Sequence, residues 1–325
     1  MHMKKLNWGV LSTAKIGIKN VIPAIQRSKF GTVTAISSRN LDSAKSAAAE
    51  LGLEKAYGNY DELLEDDSID IIYNPLPNHF HVPYTIKALK AGKHVLCEKP
   101  ISVNYNDAVE LLKISKKYPN LKLMEAFMYR FHPQWHLVKN TISSGQIGDI
   151  KHVHSTFSYF NNNPNNIKNQ VELGGGGLLD IGCYCVNFSR FIFDEEPLEI
   201  DSFMDFDPDF KTDRVATGLL KFKNGAATFM CGMQVEFDQK AQIFGSKGKI
   251  EIEIPFNDAN EIQRKVIITK DRKSTVHFFE PCDQYTLQAD TFARSILENS
   301  PVPLPLEDAV GNMRVISQMF TNYLK

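Results

Sequence analysis

Residues 69–100 read IDIIYNPLPNHFHVPYTIKALKAGKHVLCEKP. The apolar run Ile69-Asp70-Ile71-Ile72-Tyr73 has the texture of a buried strand, and a Pro/Asn-rich turn follows it. From His81 to Lys90 the pattern is helical and closes at Gly92, and Lys93 to Cys97 reads as another strand. A strand, a helix and a second strand joined by short turns demand parallel pairing through a right-handed crossover. In an open parallel sheet the carboxyl ends of the strands face the ligand crevice. Glu98-Lys99-Pro100 therefore puts an ammonium at that crevice, where Pro100 pins the backbone and sets the direction of the lysine.

The same alternation extends in both directions. Leu6 to Leu11 reads as a strand, Ser12-Thr13-Ala14-Lys15-Ile16-Gly17 as a turn, and the residues through Arg27 as an amphipathic helix that Pro23 kinks or restarts. Thr32 to Ile36 is a strand, Asp42 to Leu51 an alanine-rich helix ended by Gly52, Val103 to Tyr118 a helix and Leu121 to Met124 a strand. Together they specify a doubly wound, Rossmann-type parallel sheet. The turn after the first strand is where a glycine fingerprint for a dinucleotide belongs, and Ser12, Ala14 and Gly17 stand at its three positions. Small side chains there still let a pyrophosphate approach a helix N-terminus. After the second strand, where an acidic ribose ligand marks NAD sites, the chain has Ser37-Ser38-Arg39-Asn40. Hydroxyls and a guanidinium suit a 2′-phosphate, which favours NADP, while an Arg39 that only stacks on adenine is compatible with NAD.

The chain of 325 residues is long for one core, with 43% hydrophobic and 23% charged residues. A formal net charge of −1 supplies no field to gather nucleic acid or an anionic membrane. The start lacks the apolar stretch of a signal peptide, no run is long enough to span a bilayer, and the expectation is a cytosolic protein. His2 ahead of Met3 reads as a cloning remnant. Cys97, Cys183, Cys185, Cys231 and Cys282 are odd in number, lack zinc-site spacing and read as thiols of a reducing compartment. The pairs His79/His81 and His152/His154 have no carboxylate or thiolate at ligand spacing, so they are expected to be hydrogen-bonded histidines, with no metal site.

From Gly148 the texture becomes strand after strand: Ile150 to Phe160, Val215 to Phe222, Ala226 to Gln234, Lys240 to Phe244 and Lys249 to Ile254, with Asn224-Gly225 as a hairpin signal. The expectation is an α+β region with a large open, mainly antiparallel sheet. Apolar Val215, Leu219, Phe229 and Met233 are expected to line its second face. Asn161 to Gln170 is a polar loop, either disordered or a lid over a polyhydroxylated substrate. Gly174 to Gly177 imply a backbone passing close to something. Beyond them Asp180, Tyr184 and Asn187, spaced i, i+4, i+7, share one face of a helix running to Phe193.

The segments Asn74-Pro75-Leu76-Pro77-Asn78-His79, Glu98-Lys99-Pro100, Gly174 to Asn187 and Phe244-Gly245-Ser246-Lys247-Gly248-Lys249-Ile250, taken in order, resemble the Gfo/Idh/MocA family of glucose-fructose oxidoreductase and inositol dehydrogenase. The resemblance covers nearly the whole chain. Tyr184, where inositol dehydrogenase-like members carry histidine, is similar to the branch of dimeric dihydrodiol dehydrogenase and the NADP-dependent sugar dehydrogenases. The resemblance implies a cofactor site of Ser12, Thr13, Ala14, Lys15, Ile16, Ser38, Arg39, Asn74, Pro75, Leu76, Asn78, His79, Glu98 and Lys99, and a substrate site of Lys99, Arg130, Phe160, Asp180 and Tyr184. It also implies a homodimer or homotetramer through the second sheet.

Hydride transfer between nicotinamide and a carbinol carbon requires a proton to move at the oxygen. Tyrosine, with an unperturbed pKa of roughly 10, needs a neighbouring cation to serve as base at neutral pH. Lys99 tuning Tyr184, with Asp180 orienting the sugar, meets that need, and Lys99 as the donor itself is the alternative. The expected activity is that of an NADP-preferring oxidoreductase on a sugar, sugar derivative or cyclic diol. An NAD-dependent glycosidase using transient redox and a cofactor-binding regulator without turnover are the rivals. Residues 1–125 are expected to form the NAD(P)-binding domain and 126–325 the substrate and oligomerisation domain, with the terminal helix packing back on the first.

Overall fold

The computed structural model describes residues 5–257 and 261–323; Met1, His2 and Met3, and with them the cloning-remnant reading, lie outside these. The chain divides into two compact units, Met1–Met128 with Asp283–Val310, and Tyr129–Cys282 with Gly311–Lys325. The sequence reading draws a single boundary after 125, with only the terminal helix packing back on the first domain. In the structure residues 283–310 return to the first unit. An amphipathic pattern there announces a helix but not the surface that receives it.

In the first unit the order is β1 (Leu6–Leu11), α1 (Ile22–Gln26), β2 (Gly31–Ser37), α2 (Leu41–Leu51), β3 (Lys55–Tyr57), α3 (Tyr60–Leu64), β4 (Ile71–Asn74), α4 (His81–Lys90), β5 (His94–Cys97), α5 (Tyr105–Ser115) and β6 (Leu123–Glu125). The strands form one parallel sheet in the order β3-β2-β1-β4-β5-β6. This is the doubly wound arrangement expected, and its strand order reverses between β1 and β4. Local chemistry agrees with it: the Asn40 side chain caps α2 by accepting the Ser43 N–H, and Gly52 ends it at φ 68°. Pro23 stands in the first turn of α1, restarting the helix after a π turn over Gly17–Val21. Trp8, Val10, Ile71, Ile72, Tyr73, Val95 and Leu96 are fully buried around the sheet. Of the returning segment, α8 (Gln284–Leu297) packs on α1, with Thr286 Oγ1 donating to the Ala24 carbonyl at 3.0 Å and Phe292 edge-on to Trp8.

The second unit holds α6 (Gln134–Ser143), β7 (Ile150–Phe160), α7 (Cys183–Phe193), β8 (Glu199–Phe206), β9 (Asp213–Phe222), β10 (Gly225–Gly232), β11 (Gln234–Gly245), β12 (Gly248–Ile252), β13 (Arg264–Lys270) and β14 (Lys273–Phe279). They build an eight-stranded sheet ordered β14-β13-β12-β11-β7-β10-β9-β8, in which every pairing is antiparallel except β7 with β10. The Asn224-Gly225 signal is a tight hairpin, with Phe222 paired to Gly225. The last helix, α9 (Leu306–Tyr323), begins in the residues of the first unit and ends in those of the second.

One expectation about the sheet fails in part. Leu219 is 44% exposed, but Phe229 and Met233 are buried. Leu219 pairs with Thr228, so Phe229 is one residue out of phase and faces the core, where Gly218 leaves room for its ring. Among the described residues no helix is long and apolar enough to cross a membrane.

Candidate active site

In the first unit the expected cofactor segments meet at one end of the sheet. Ser12 to Ile16 follow β1, Ser38 and Arg39 follow β2, Asn74 to Leu76 end and follow β4, and Glu98-Lys99 follow β5. All are carboxyl ends of neighbouring strands, beside the point where the strand order reverses. Ser12 adopts φ 71°, the left-handed conformation that glycine ordinarily supplies at the first fingerprint position, and its Oγ accepts the Ala14 N–H at 3.2 Å. A Cβ at Gly17 would meet only ordinary contacts, with Tyr73, Val10 and Pro75. The turn thus keeps a left-handed backbone at the first fingerprint position even though two glycines are replaced. Lys15 is exposed on it. Ser37 is fully buried and donates to the Val10 carbonyl, whereas Ser38 is half-buried and Arg39 exposed. Arg39 lies by the Tyr60 phenol, whose pKa burial raises and the guanidinium draws back.

The lysine turn is built from buried parts. Tyr73 is fully buried and its hydroxyl donates to Glu98 Oε1 at 2.7 Å. Burial first, and the Glu98 carboxylate second, hold the phenol well above its ordinary pKa, so it remains a donor. The Glu98 N–H donates to the Asn74 carbonyl at 3.0 Å. The side chain of Asn74, expected on the cofactor, is instead fully buried: Nδ2 donates to the His81 carbonyl and Thr85 Oγ1, and Oδ1 accepts the Leu76 N–H. It shapes the turn that presents Pro75 and Leu76, itself 4% exposed, and the half-buried Asn78 and His79, whose ring packs on Phe80. Behind this turn is His81, 1% exposed, with Nδ1 2.7 Å from the Pro100 carbonyl and Nε2 2.7 Å from the Leu76 carbonyl. It sits between the Asn74–His79 turn and the lysine turn, its neutral ring donating to one of the two carbonyls. Burial pushes its pKa down to about 4, against the pull of those carbonyls, and the Lys99 ammonium adds to the lowering.

In the second unit, Asp180 lies in a π turn, Leu178–Gly182, and Tyr184 opens α7 one turn later. Both are 5% exposed. The Tyr184 ring packs against Tyr129, Phe157 and Phe256 at centroid distances of 5.8, 5.5 and 5.6 Å. Asp180 accepts a 2.6 Å hydrogen bond from Tyr159 Oη and an ion pair from Lys168 Nζ. Asn187 is fully buried, with Oδ1 accepting from Tyr129 Oη at 2.5 Å and Arg130 Nη1 at 3.2 Å. Arg130, expected on the substrate, has its guanidinium 3.7 Å from the Phe191 ring centroid. Phe160 is 64% exposed. Strand alternation turns it to the opposite face from Tyr159, the neighbour that reaches Asp180. The polar loop is folded, with Lys168 as its hold on Asp180.

Tyr159, Lys168 and Asp213 escape a reading of the sequence. Each is one residue of common type whose role depends on a long-range neighbour. Only Asp213 had an indirect signal, the glycine run that packs on it. The expected hydrogen-bonded state of His152 and His154 is seen: both contact Thr228 Oγ1, at 2.9 and 3.0 Å.

Comparison with known proteins identifies the family. Residues 6–127 match the oxidoreductase family with NAD-binding Rossmann fold, and residues 135–251 match the GFO/IDH/MocA C-terminal domain. An oxidoreductase of Rhizobium meliloti, ORF334, is 36% identical over 97% of this chain and 96% of its own. D-xylose 1-dehydrogenase (NADP(+)) 2 of Haloferax volcanii is 32% identical over 96% of each. The crystal structure of KijD10, a 3-ketoreductase from Actinomadura kijaniata in complex with NADP and TDP-benzene, superimposes with a TM-score of 0.92 over 98% of both chains at 28% identity. Sheet order, strand-end lysine and the sequence matches lead to one conclusion: the chain belongs to the GFO/IDH/MocA family of oxidoreductases.

Proposed function

We propose that this protein is an NADP-preferring oxidoreductase acting on the carbinol or carbonyl carbon of a sugar, sugar derivative or cyclic diol. The observation that carries the reading is the position of Lys99 at the carboxyl end of β5, in line with the Ser12 and Asn74 turns at the ends of β1 and β4. Relatives of the same length named as an NADP-dependent xylose dehydrogenase and an NADP-bound 3-ketoreductase support it. The bound dinucleotide supplies or accepts the hydride. Ser12 to Ile16 cradle its pyrophosphate, Ser38 and Arg39 take the 2′-phosphate, and Pro75, Leu76, Asn78, His79 and Glu98 border the nicotinamide end. Tyr184 and Lys99 handle the proton at the substrate oxygen. Asp180, already bonded to Tyr159 and Lys168, orders the substrate pocket through them as well as through its own carboxylate. Arg130 and Phe160 are the outer substrate contacts of this reading.

The protein works in the cytosol, where its cysteines, four of the five buried, stay reduced. It assembles as a homodimer or homotetramer through the sheet face that carries Leu219 and Phe203, the latter 65% exposed. A single mass corresponding to the monomer across a wide concentration range would remove that part of the reading.

The activity is tested by following nicotinamide absorbance with NADP(H) and NAD(H) against a panel of aldoses, keto sugars, inositols and diols. Stoichiometric conversion of the dinucleotide with at least one of them is expected. Glycoside cleavage without net change in absorbance would replace this reading with the transient-redox glycosidase.

A further inference from the structure

The run Gly174–Gly177 and the buried carboxyl of Asp213, at the start of β9, take no part in the chemistry above. Asp213 is 1% exposed, and its Oδ2 accepts the Leu178 N–H at 2.6 Å. Leu178 is the first residue of the turn that carries Asp180. A Cβ on Gly176 would lie 2.2 Å from Asp213 Oδ1, and φ there is +120°, so only glycine lets the carboxyl approach. The other side of the run is equally tight. A Cβ on Gly175 would stand 2.5 Å from the Lys168 carbonyl and 2.8 Å from that of Gln170. The Gly176 and Gly175 N–H groups donate to those same carbonyls, each at 2.9 Å. The glycine run is threaded between Asp213 and the loop whose Lys168 pairs with Asp180.

A capping side chain ordinarily comes from the residue that precedes its helix. Asp213 comes from a strand 35 residues further on, so it fixes where the turn stands against the sheet besides satisfying an amide. Burying a carboxyl is costly, and here burial pushes its pKa up to about 7 while the Leu178 and Gly177 amides draw it down. Such a group is retained where its geometry is needed.

We propose that Asp213 is a positioning residue for Asp180 and Tyr184: its carboxyl, seated in the space the glycines leave, sets the first turn of the segment that presents both. The proposal rests on the oxidoreductase reading, and its test includes a readout that needs no substrate. In Asp213→Ala, amide hydrogen exchange over Leu178–Gly182 should accelerate at least about tenfold, an opening of local structure. Its kcat per folded molecule should fall on the order of 10–100-fold, as displacements of about 1 Å do, while KM for the dinucleotide stays within about twofold. Asp213→Asn keeps an acceptor oxygen at the same distance and should recover at least about tenfold of that kcat loss, together with slow exchange. Asp213→Ser, with a shorter acceptor, should fall between them, and it replaces the alanine variant if that variant does not fold. A kcat in Asp213→Ala within about threefold of the parent, or an Asp213→Asn no better than alanine, overturns the proposal. If the parent turns over no panel compound, the oxidoreductase reading fails, and unchanged exchange in Asp213→Ala then separately overturns the placement of the turn.

Discussion

The candidate residues of the two units are held in place by opposite means. In the first unit, Ser12, Arg39, Asn74 and Lys99 stand where strands end, so the hydrogen-bond ladder of a parallel sheet puts them at one edge. Side chains add only local fastenings there, such as Tyr73 on Glu98 and His81 between the Leu76 and Pro100 carbonyls. In the second unit no ladder reaches Asp180 or Tyr184. Their turn is placed by side chains remote in sequence: Asp213 on the Leu178 amide, and Tyr159 and Lys168 on Asp180. A backbone-built half is robust to substitution around it, whereas a side-chain-built half depends on several single residues.

The largest effect that tests this contrast lies at Tyr184 and Lys99, the residues proposed to handle the proton. Tyr184→Phe keeps the ring packed on Tyr129, Phe157 and Phe256 but removes the hydroxyl, so turnover should fall on the order of 10²–10⁴-fold with dinucleotide binding intact. Lys99→Met should be at least as damaging. Steady-state turnover and dinucleotide titration of the two variants decide it. Near-normal turnover in Tyr184→Phe would make Lys99 or a water the proton carrier, and near-normal turnover in both would remove the chemistry from this site.

The same contrast explains what a reader of the sequence can find. Helix α4, strand β7 and Gly52 as the stop of α2 are legible because periodicity and turn chemistry are local properties. So is Lys99, since a strand followed by Pro states where the side chain leaves the sheet. Strands β3, β8, β13 and β14 are not: β3 has three residues, and β14 is exposed along most of its length, so neither displays a buried alternation. Tyr159 is not legible, because the sequence does not reveal which face of β7 its end turns toward Asp180. Asp213 is one aspartate among many until the glycines are seen to pack on it.

Acid should separate the halves next. The folded-state pKa of His81 is depressed from 6.5 to about 4, so the unfolded chain binds more protons in that window. Its contribution is complete above about pH 6.5 and is lost as pH falls toward 4, by up to about 3 kcal/mol. Asp213 has the reverse sign. Its folded pKa is raised from 3.8 to about 7, so the stability it contributes is complete below about pH 4 and disappears as pH rises through 7, by a similar amount. The two contributions run in opposite directions with pH, so variants that each remove one group should separate in urea midpoints measured at pH 5 and pH 8. His81→Gln should flatten the loss on acidification, with the share due to His132, which burial pushes down to about 3, remaining. Asp213→Asn should be relatively more stable at pH 8. Parallel pH profiles for the two variants would show that the two groups are not buried in the opposed states described.

Cofactor choice is a smaller effect and belongs wholly to the first half. Arg39 is exposed beside Tyr60, so a 2′-phosphate paired with it would be reached through solvent. Removing it by Arg39→Ala should cost NADP(H) about 1.5–3 kcal/mol and NAD(H) little, narrowing the preference roughly 10–100-fold. Equal titration curves for the two dinucleotides with the unmutated protein would place the specificity elsewhere or remove it.

The smallest effect probes whether the first half is as purely backbone-built as its sheet suggests. Ser12 holds φ 71°, and a side chain in that conformation costs about 1–2 kcal/mol, partly offset by its hydroxyl accepting the Ala14 N–H. Ser12→Gly removes the strain but gives the unfolded chain more freedom, so the net gain should be about 0.5–1 kcal/mol in urea unfolding. It also releases the Ala14 amide, which then faces a phosphate with no competing acceptor, and dinucleotide binding should tighten severalfold. Looser binding together with lower stability would mean that the Ser12 hydroxyl is itself a ligand. In that case the dinucleotide turn, like the Asp180 turn, relies on a particular side chain where a glycine would otherwise let the backbone do the work.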